Sequence, residues 1–165
     1  MRIISIDPGY DRVGVAIMEK ISGKEVVIFS ECFQTNKKDS IQDRIFSIGE
    51  RVSELIKKYK PNLFAIENLF MTNNQKTVMA VAEARGVMIY IAKSKGLPVI
   101  EFTPLQIKVA TAGHGRATKE EVHRMVSMIL KLETRKHIDD EIDAIAVGIT
   151  AFAHSKNINI HKENL

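Results

Sequence analysis

Apolar positions along the chain change period several times, and each change marks an element. Residues 2–7, 13–18 and 25–33 are short and rich in Ile and Val, with Pro8-Gly9-Tyr10-Asp11 and Ser22-Gly23-Lys24 between them, so they predict three strands. Such short connections imply an antiparallel meander. The period then becomes helical. Ile41, Ile45, Ile48, Val52, Leu55, Ile56 and Tyr59 fall on one stripe, Ser40 stands three residues before Asp43, and Lys57, Lys58 and Lys60 gather ahead of Pro61. Residues 62–67 return as a strand. A second helix is predicted from about 75 to 95, with Gly96 as its stop. Its apolar residues, among them Val78, Met79, Val81, Ala82, Val87, Met88, Ile89 and Ile91, occupy more than one face, so one side is available to a partner subunit. Residues 97–102 read as a fifth strand. Thr103-Pro104 opens a short helix ending near Gly113, and Thr118 with Glu121 forms a capping box for another. A helix led by Asp140 closes the pattern.

Three antiparallel strands followed by helix–strand crossovers predict an α/β fold: a mixed five-stranded sheet, order 3-2-1-4-5, flanked by helices on both faces. The first and fourth strands are then neighbours. We expect one domain over residues 1–154 and a polar tail over 155–165 that frays or serves as an accessory.

Composition narrows the setting. Cys32 is the single cysteine, which excludes an internal disulfide and suits a reducing compartment. The longest nearly apolar stretch, 144–153, is half of the roughly 20 residues that span a bilayer, and Arg2 precedes no secretory segment. A soluble cytoplasmic protein with no membrane association is the expectation. Net charge is only +4, but residues 72–136 carry 11 Lys or Arg against 5 Asp or Glu. The middle of the chain is therefore basic, which modestly favours a nucleic-acid partner over a merely solvated face.

Acids stand at the mouths of the predicted elements. Asp7 ends Ile3-Ile4-Ser5-Ile6, Glu67 ends Leu63-Phe64-Ala65-Ile66, and Asp139, Asp140 and Asp143 precede the apolar stretch 144–153. Taken singly, Asp7 reads as a turn residue, Asp140 as an N-cap and Asp143 as a first-turn acid. Glu67 fits no turn or cap rule, so function and structure weigh equally there. Together Asp7, Glu67, Asp140 and Asp143 make an all-oxygen set, suited to Mg²⁺ or Mn²⁺ and poor for zinc. Two such ions roughly 3.5 to 4 Å apart activate water and stabilise the leaving oxygen of a phosphodiester.

Six motifs then coincide in order and spacing. Asp7-Pro8-Gly9, Ala65-Ile66-Glu67-Asn68-Leu69-Phe70, Ala84-Arg85-Gly86, Gln106-Ile107-Lys108, the run from Gly113 through His114 and Arg116 to Lys119, and Asp140-Glu141-Ile142-Asp143-Ala144 resemble the RuvC Holliday junction resolvases of bacteria. The resemblance covers residues 1 to about 153. It implies an RNase H-like fold, a homodimer, endonuclease activity that depends on two Mg²⁺ ions per site with Mn²⁺ as a substitute, four-way junction DNA as substrate, and cooperation with RuvA and RuvB. It also implies that Asp7, Glu67, Asp140 and Asp143 are the metal-binding catalytic acids, with Asp139 an alternative to Asp140 at helical spacing.

Basic and aromatic residues complete the expectation. Lys119 opens a helix beside a glycine-flanked loop, where backbone N–H groups meet phosphate; its bland reading is a solvated lysine. Lys108 is either a snorkelling lysine or, as the resemblance implies, a second aid to cleavage. Phe70 is a core plug or, by the resemblance, an aromatic that stacks on an opened base. His114, Arg116 and Arg85 are candidate DNA contacts, and His137 a candidate substitute ligand, although most loop histidines are simply exposed. Gly86 costs roughly 1 kcal/mol relative to Ala within a helix, which predicts close packing against a subunit or the DNA backbone. Two other readings share parts of this pattern. An actin-like or sugar-kinase-like ATP-binding domain also opens with a strand, an aspartate and a glycine turn, but needs a second lobe. A nuclease-fold relative that binds without cutting is disfavoured by the intact acid set.

Overall fold

Ser22 and Gly23 both adopt left-handed conformations, φ 49° and 81°, and this two-residue turn closes the hairpin between the second and third strands. The hairpin strands are consequently longer than the sequence predicts, since the ladder continues to Ile21 opposite Lys24. The computed structural model describes residues 1–69, 75–131 and 139–154. Phe70, His137 and the tail 155–165 lie outside the described residues.

Strands β1 (Arg2–Asp7), β2 (Arg12–Ile21) and β3 (Lys24–Gln34) form the antiparallel meander. Helix α1 (Ile41–Tyr59) crosses to β4 (Leu63–Glu67), and α2 (Gln75–Ser94) crosses to β5 (Val99–Phe102), both strands running parallel to β1. Among the described residues the sheet order is β3-β2-β1-β4-β5, as the pattern predicts. Helices α3 (Pro104–Ala112), α4 (Lys119–Leu130) and α5 (Asp139–His154) follow. β5 begins two residues later than expected. Gly96, at φ 75°, turns the chain out of α2, and the Leu97 N–H caps that helix on the Ala92 carbonyl, 3.0 Å away.

β1 shows why both sheet faces are covered. Ile4 and Ile6 point into a core shared with α1 and α2, whereas Ile3 faces the core built on α5. All three are fully buried, each contributing roughly 1.5 to 3 kcal/mol. Helix α5 is almost wholly buried from Ala144 to Phe152. Two glycines let it lie that close. A Cβ on Gly14 would sit 1.9 Å from the Asp140 carbonyl oxygen, and one on Gly148 would sit 2.3 Å from the Met18 sulfur. The first turn of α5 therefore rests directly on β2.

Arg44 on α1 fixes the turn that follows β1. It is 8% exposed, and its guanidinium donates to the Asp11 carboxylate, to Thr35 Oγ1 at 2.9 Å and to the Tyr10 carbonyl at 3.3 Å, while lying over the Tyr10 ring. A buried cation so fully partnered holds the end of β1 in one place.

Candidate active site

Parallel pairing of β1 with β4 puts Ile6 opposite Ile66, so Asp7 and Glu67, the next residues, leave adjacent strands at the same carboxyl edge. The start of α5 lies over that edge. Asp7 feels the consequence: its carboxyl is raised well above the usual range by burial first, then by the charges of Glu67, Asp143 and Asp140, with Lys119 opposing. Glu67 is pushed up to about 7, again by burial and then by Asp143, with Lys119 opposing. Four acids from β1, β4 and α5 thus share one electrostatic neighbourhood.

The three aspartates of α5 divide by direction. Asp140 faces the sheet, paired with Arg12 at 3.1 Å and in contact with the Cys32 sulfur at 3.5 Å. Its charge, after burial, pushes the Cys32 thiol up to about 11, so the cysteine is no thiolate nucleophile. Asp143 faces α4, with Lys119 Nζ 2.8 Å from Oδ2 and His123 Nε2 2.7 Å from Oδ1. Asp139 lies farther out, its side chain 67% exposed and 3.8 Å from Lys119. Asp140, unlike Asp139, is among the charges that raise Asp7.

Lys119 is the local counterion. Burial works to lower its pKa, but the hydrogen bond and charge of Asp143, with Asp139 and Asp7, outweigh burial and raise it. Thr118 and Glu121 cap α4 reciprocally, as the sequence predicts, and this fixes where the helix presents Lys119.

A cleft of about 220 Å³ opens between Glu67, Asp143, Lys119 and Lys108, over an apolar floor of Ile107, Val122 and Ala146. That volume is below the roughly 300 to 1,000 Å³ of small-molecule sites, so the cleft is small for a nucleotide pocket. His114 and Arg116 are outside it, in the loop between α3 and α4, with exposed side chains. Arg85 is placed differently from a surface contact. Its side chain is 14% exposed, donates to the Glu67 carbonyl at 3.2 Å and pairs with Glu101, so it braces the backbone that carries Glu67.

The donor chemistry fits hard divalent cations, because carboxylates dominate and their ionised forms repel. Among the described residues, no three His, Cys, Asp or Glu side chains already converge as a ligand group. Asp143 and Asp140 are turned toward Lys119, His123 and Arg12, and a cation would compete with these partners for the oxygens. Sequence reasoning missed His123 and Arg12. The spacing of four between Lys119 and His123 places both on one face of a helix, but only the packing of α4 on α5 reveals what that face meets.

Comparison with known proteins accords with this arrangement. A family model described as "Crossover junction endodeoxyribonuclease RuvC" matches residues 3–151. The proteins of that name from Moorella thermoacetica and Petrotoga mobilis are 42% and 40% identical to the chain, over 90% and 93% of its length and 89% and 93% of theirs. The structure of T. thermophilus RuvC in complex with Holliday junction substrate superposes with a TM-score of 0.88 at 30% identity, covering 95% of this chain and 96% of that one. Sheet order, the acidic carboxyl edge and these matches over nearly the whole length lead to one assignment: the chain belongs to the RuvC family of crossover junction endodeoxyribonucleases.

Proposed function

We propose that the protein resolves four-way DNA junctions by symmetric phosphodiester hydrolysis, using Asp7, Glu67, Asp140 and Asp143 as the metal-holding acids of an RNase H-like nuclease. The observation that supports the site assignment is the convergence of Asp7 and Glu67, at the carboxyl ends of paired strands, with Asp140 and Asp143 of α5, where burial first and then the neighbouring carboxylates push Glu67 up to about 7 and raise Asp7. Such a cluster stores unfavourable charge that divalent cations relieve. Bound Mg²⁺, or Mn²⁺ in its place and in two copies, would supply a Lewis acid that activates water and neutralises the departing oxygen.

The chain's own residues supply the rest. The acids hold their oxygens at the ends of rigid strands and of a buried helix, so little reorganisation accompanies cutting. Lys119 and Lys108 line the cleft and bring positive charge to the scissile phosphate. His114 and Arg116, on the exposed loop beside the cleft, are DNA contacts in this reading. Phe70, three residues beyond Glu67 in sequence, is the candidate for stacking on an unpaired base. Arg85 acts from behind as a brace.

Symmetric cutting of two strands calls for two sites related by a two-fold axis. The outer face of α2 suits such a homodimer: Met79 and Tyr90 are 64% and 72% exposed, with small Ala82 and Gly86 between them. RuvA and RuvB are the expected branch-migration partners, and the cytoplasm the expected compartment. No helix among the described residues is long and apolar enough to cross a membrane. The test is incubation with Mg²⁺ and an end-labelled four-way junction. Paired nicks at symmetric positions support the proposal; junction binding without nicks in Mg²⁺ or Mn²⁺ sinks it.

A further inference from the structure

We propose that His123 is the positioning residue for Asp143, holding one carboxylate oxygen so that the other is presented to the divalent cation. This rests on the metal-dependent reading given above. Lys119 and His123 are four residues apart on one face of α4, and both converge on Asp143 of α5, with Asp139 farther off at 3.8 Å from Lys119. The ring Nε2 lies 2.7 Å from Asp143 Oδ1, and Lys119 Nζ lies 2.8 Å from Oδ2. An ionised carboxylate can only accept, so the ring nitrogen carries the proton of that bond.

The two partners of Asp143 differ in how readily they leave. Lys119 has a side chain 51% exposed on a flexible stem, and its ammonium can exchange a carboxylate for water or phosphate at small cost. The His123 side chain is 16% exposed, and breaking its bond would leave a mostly buried donor unpaired. Of the two partners, Lys119 is therefore the one that would yield to a cation, and His123 the one that would keep its hold on Asp143. The ring's other nitrogen is 3.9 Å from Asp139, beyond a hydrogen bond, so the ring is aimed mainly by Asp143 and by packing. Partners of this kind typically change metal affinity or activity about 10- to 100-fold when removed.

The experiment measures Mn²⁺ binding to the DNA-free protein from the free-ion electron paramagnetic resonance signal, with the melting temperature of each variant taken alongside. His123→Leu removes the donor and keeps comparable bulk, whereas His123→Gln retains an N–H that reaches a similar distance. His123→Leu is expected to weaken Mn²⁺ binding about 10-fold or more, and His123→Gln to restore it to within about 3-fold. Wild-type affinity in a folded His123→Leu overturns the inference alone, as does a folded His123→Gln no better than Leu. If His123→Leu does not fold, His123→Asn, polar but too short to reach Asp143, takes its place with the same expectation. A wild type that binds no Mn²⁺ overturns the metal-dependent reading, and this inference with it.

Discussion

Replacing Glu67 by Gln is expected to stabilise the metal-free protein at pH 8 while abolishing cleavage. In the folded chain the carboxyl is pushed from an ordinary 4.5 up to about 7, by burial and then by Asp143, against the opposing charge of Lys119. The folded state therefore holds a proton that the unfolded state has released. Stability contributed by this group is fully present below about 4.5 and is lost as pH rises through about 7. At about 1.4 kcal/mol per pH unit, that interval corresponds to about 3 kcal/mol. Gln has no charge to impose, and its presence also relieves Asp7 of its largest like-charge neighbour. For a chain of this length, about 3 kcal/mol moves the melting temperature by roughly 6 to 12 °C. The assay is thermal unfolding of both proteins in chelator at pH 5 and pH 8, repeated with Mg²⁺. The curves should nearly coincide at pH 5 and separate at pH 8 with Gln higher, and Mg²⁺ should narrow the gap by stabilising the wild type. A Gln variant equal to or below wild type at pH 8 in chelator would refute the electrostatic account of the site.

Asp7→Asn should abolish nicking yet leave junction binding intact or tighter in a gel-shift assay, since a ligand and a source of phosphate repulsion both disappear. Arg44→Met should cost about 2 to 4 kcal/mol in urea denaturation, because Thr35, Tyr10 and Asp11 lose their shared buried partner. Gly14→Val should lower both nicking rate and melting temperature, as its first side-chain carbon would collide with the Asp140 carbonyl and lift α5 off β2. Gly86→Glu, at a position with open space around it, should leave the fold intact and convert the proposed homodimer to monomers in sedimentation velocity.

Much of this was legible in the residues, for reasons that particular elements make clear. The juxtaposition of Asp7 and Glu67 follows from connection lengths, since short turns force an antiparallel meander and the crossover over α1 forces a parallel neighbour. Caps were equally plain, because Thr118 with Glu121 and Thr103 with Gln106 act through bonds three residues long. The choice between Asp139 and Asp140 was not. Consecutive residues in a first helical turn point about 100° apart, and which of them meets the sheet depends on how α5 is rotated. The contacts allowed by Gly14 and Gly148 set that rotation, and they join residues distant in sequence. The bracing contacts of Arg85 were hidden for the same kind of reason: its partners, the Glu67 carbonyl and Glu101, come from two strands distant in sequence.

The acids of this site come from opposite ends of the folded domain's chain, Asp7 from β1 and Asp140 and Asp143 from α5. During synthesis the first acid is made more than 130 residues before the last. A nascent chain that has released only the sheet exposes the apolar face that α5 later covers, and it has half of its acids. On the proposed assignment, the acid set is completed in the same event as closure of the second core. A chain that stops short of α5 lacks Asp140 and Asp143 together with the helix that covers this face of the sheet.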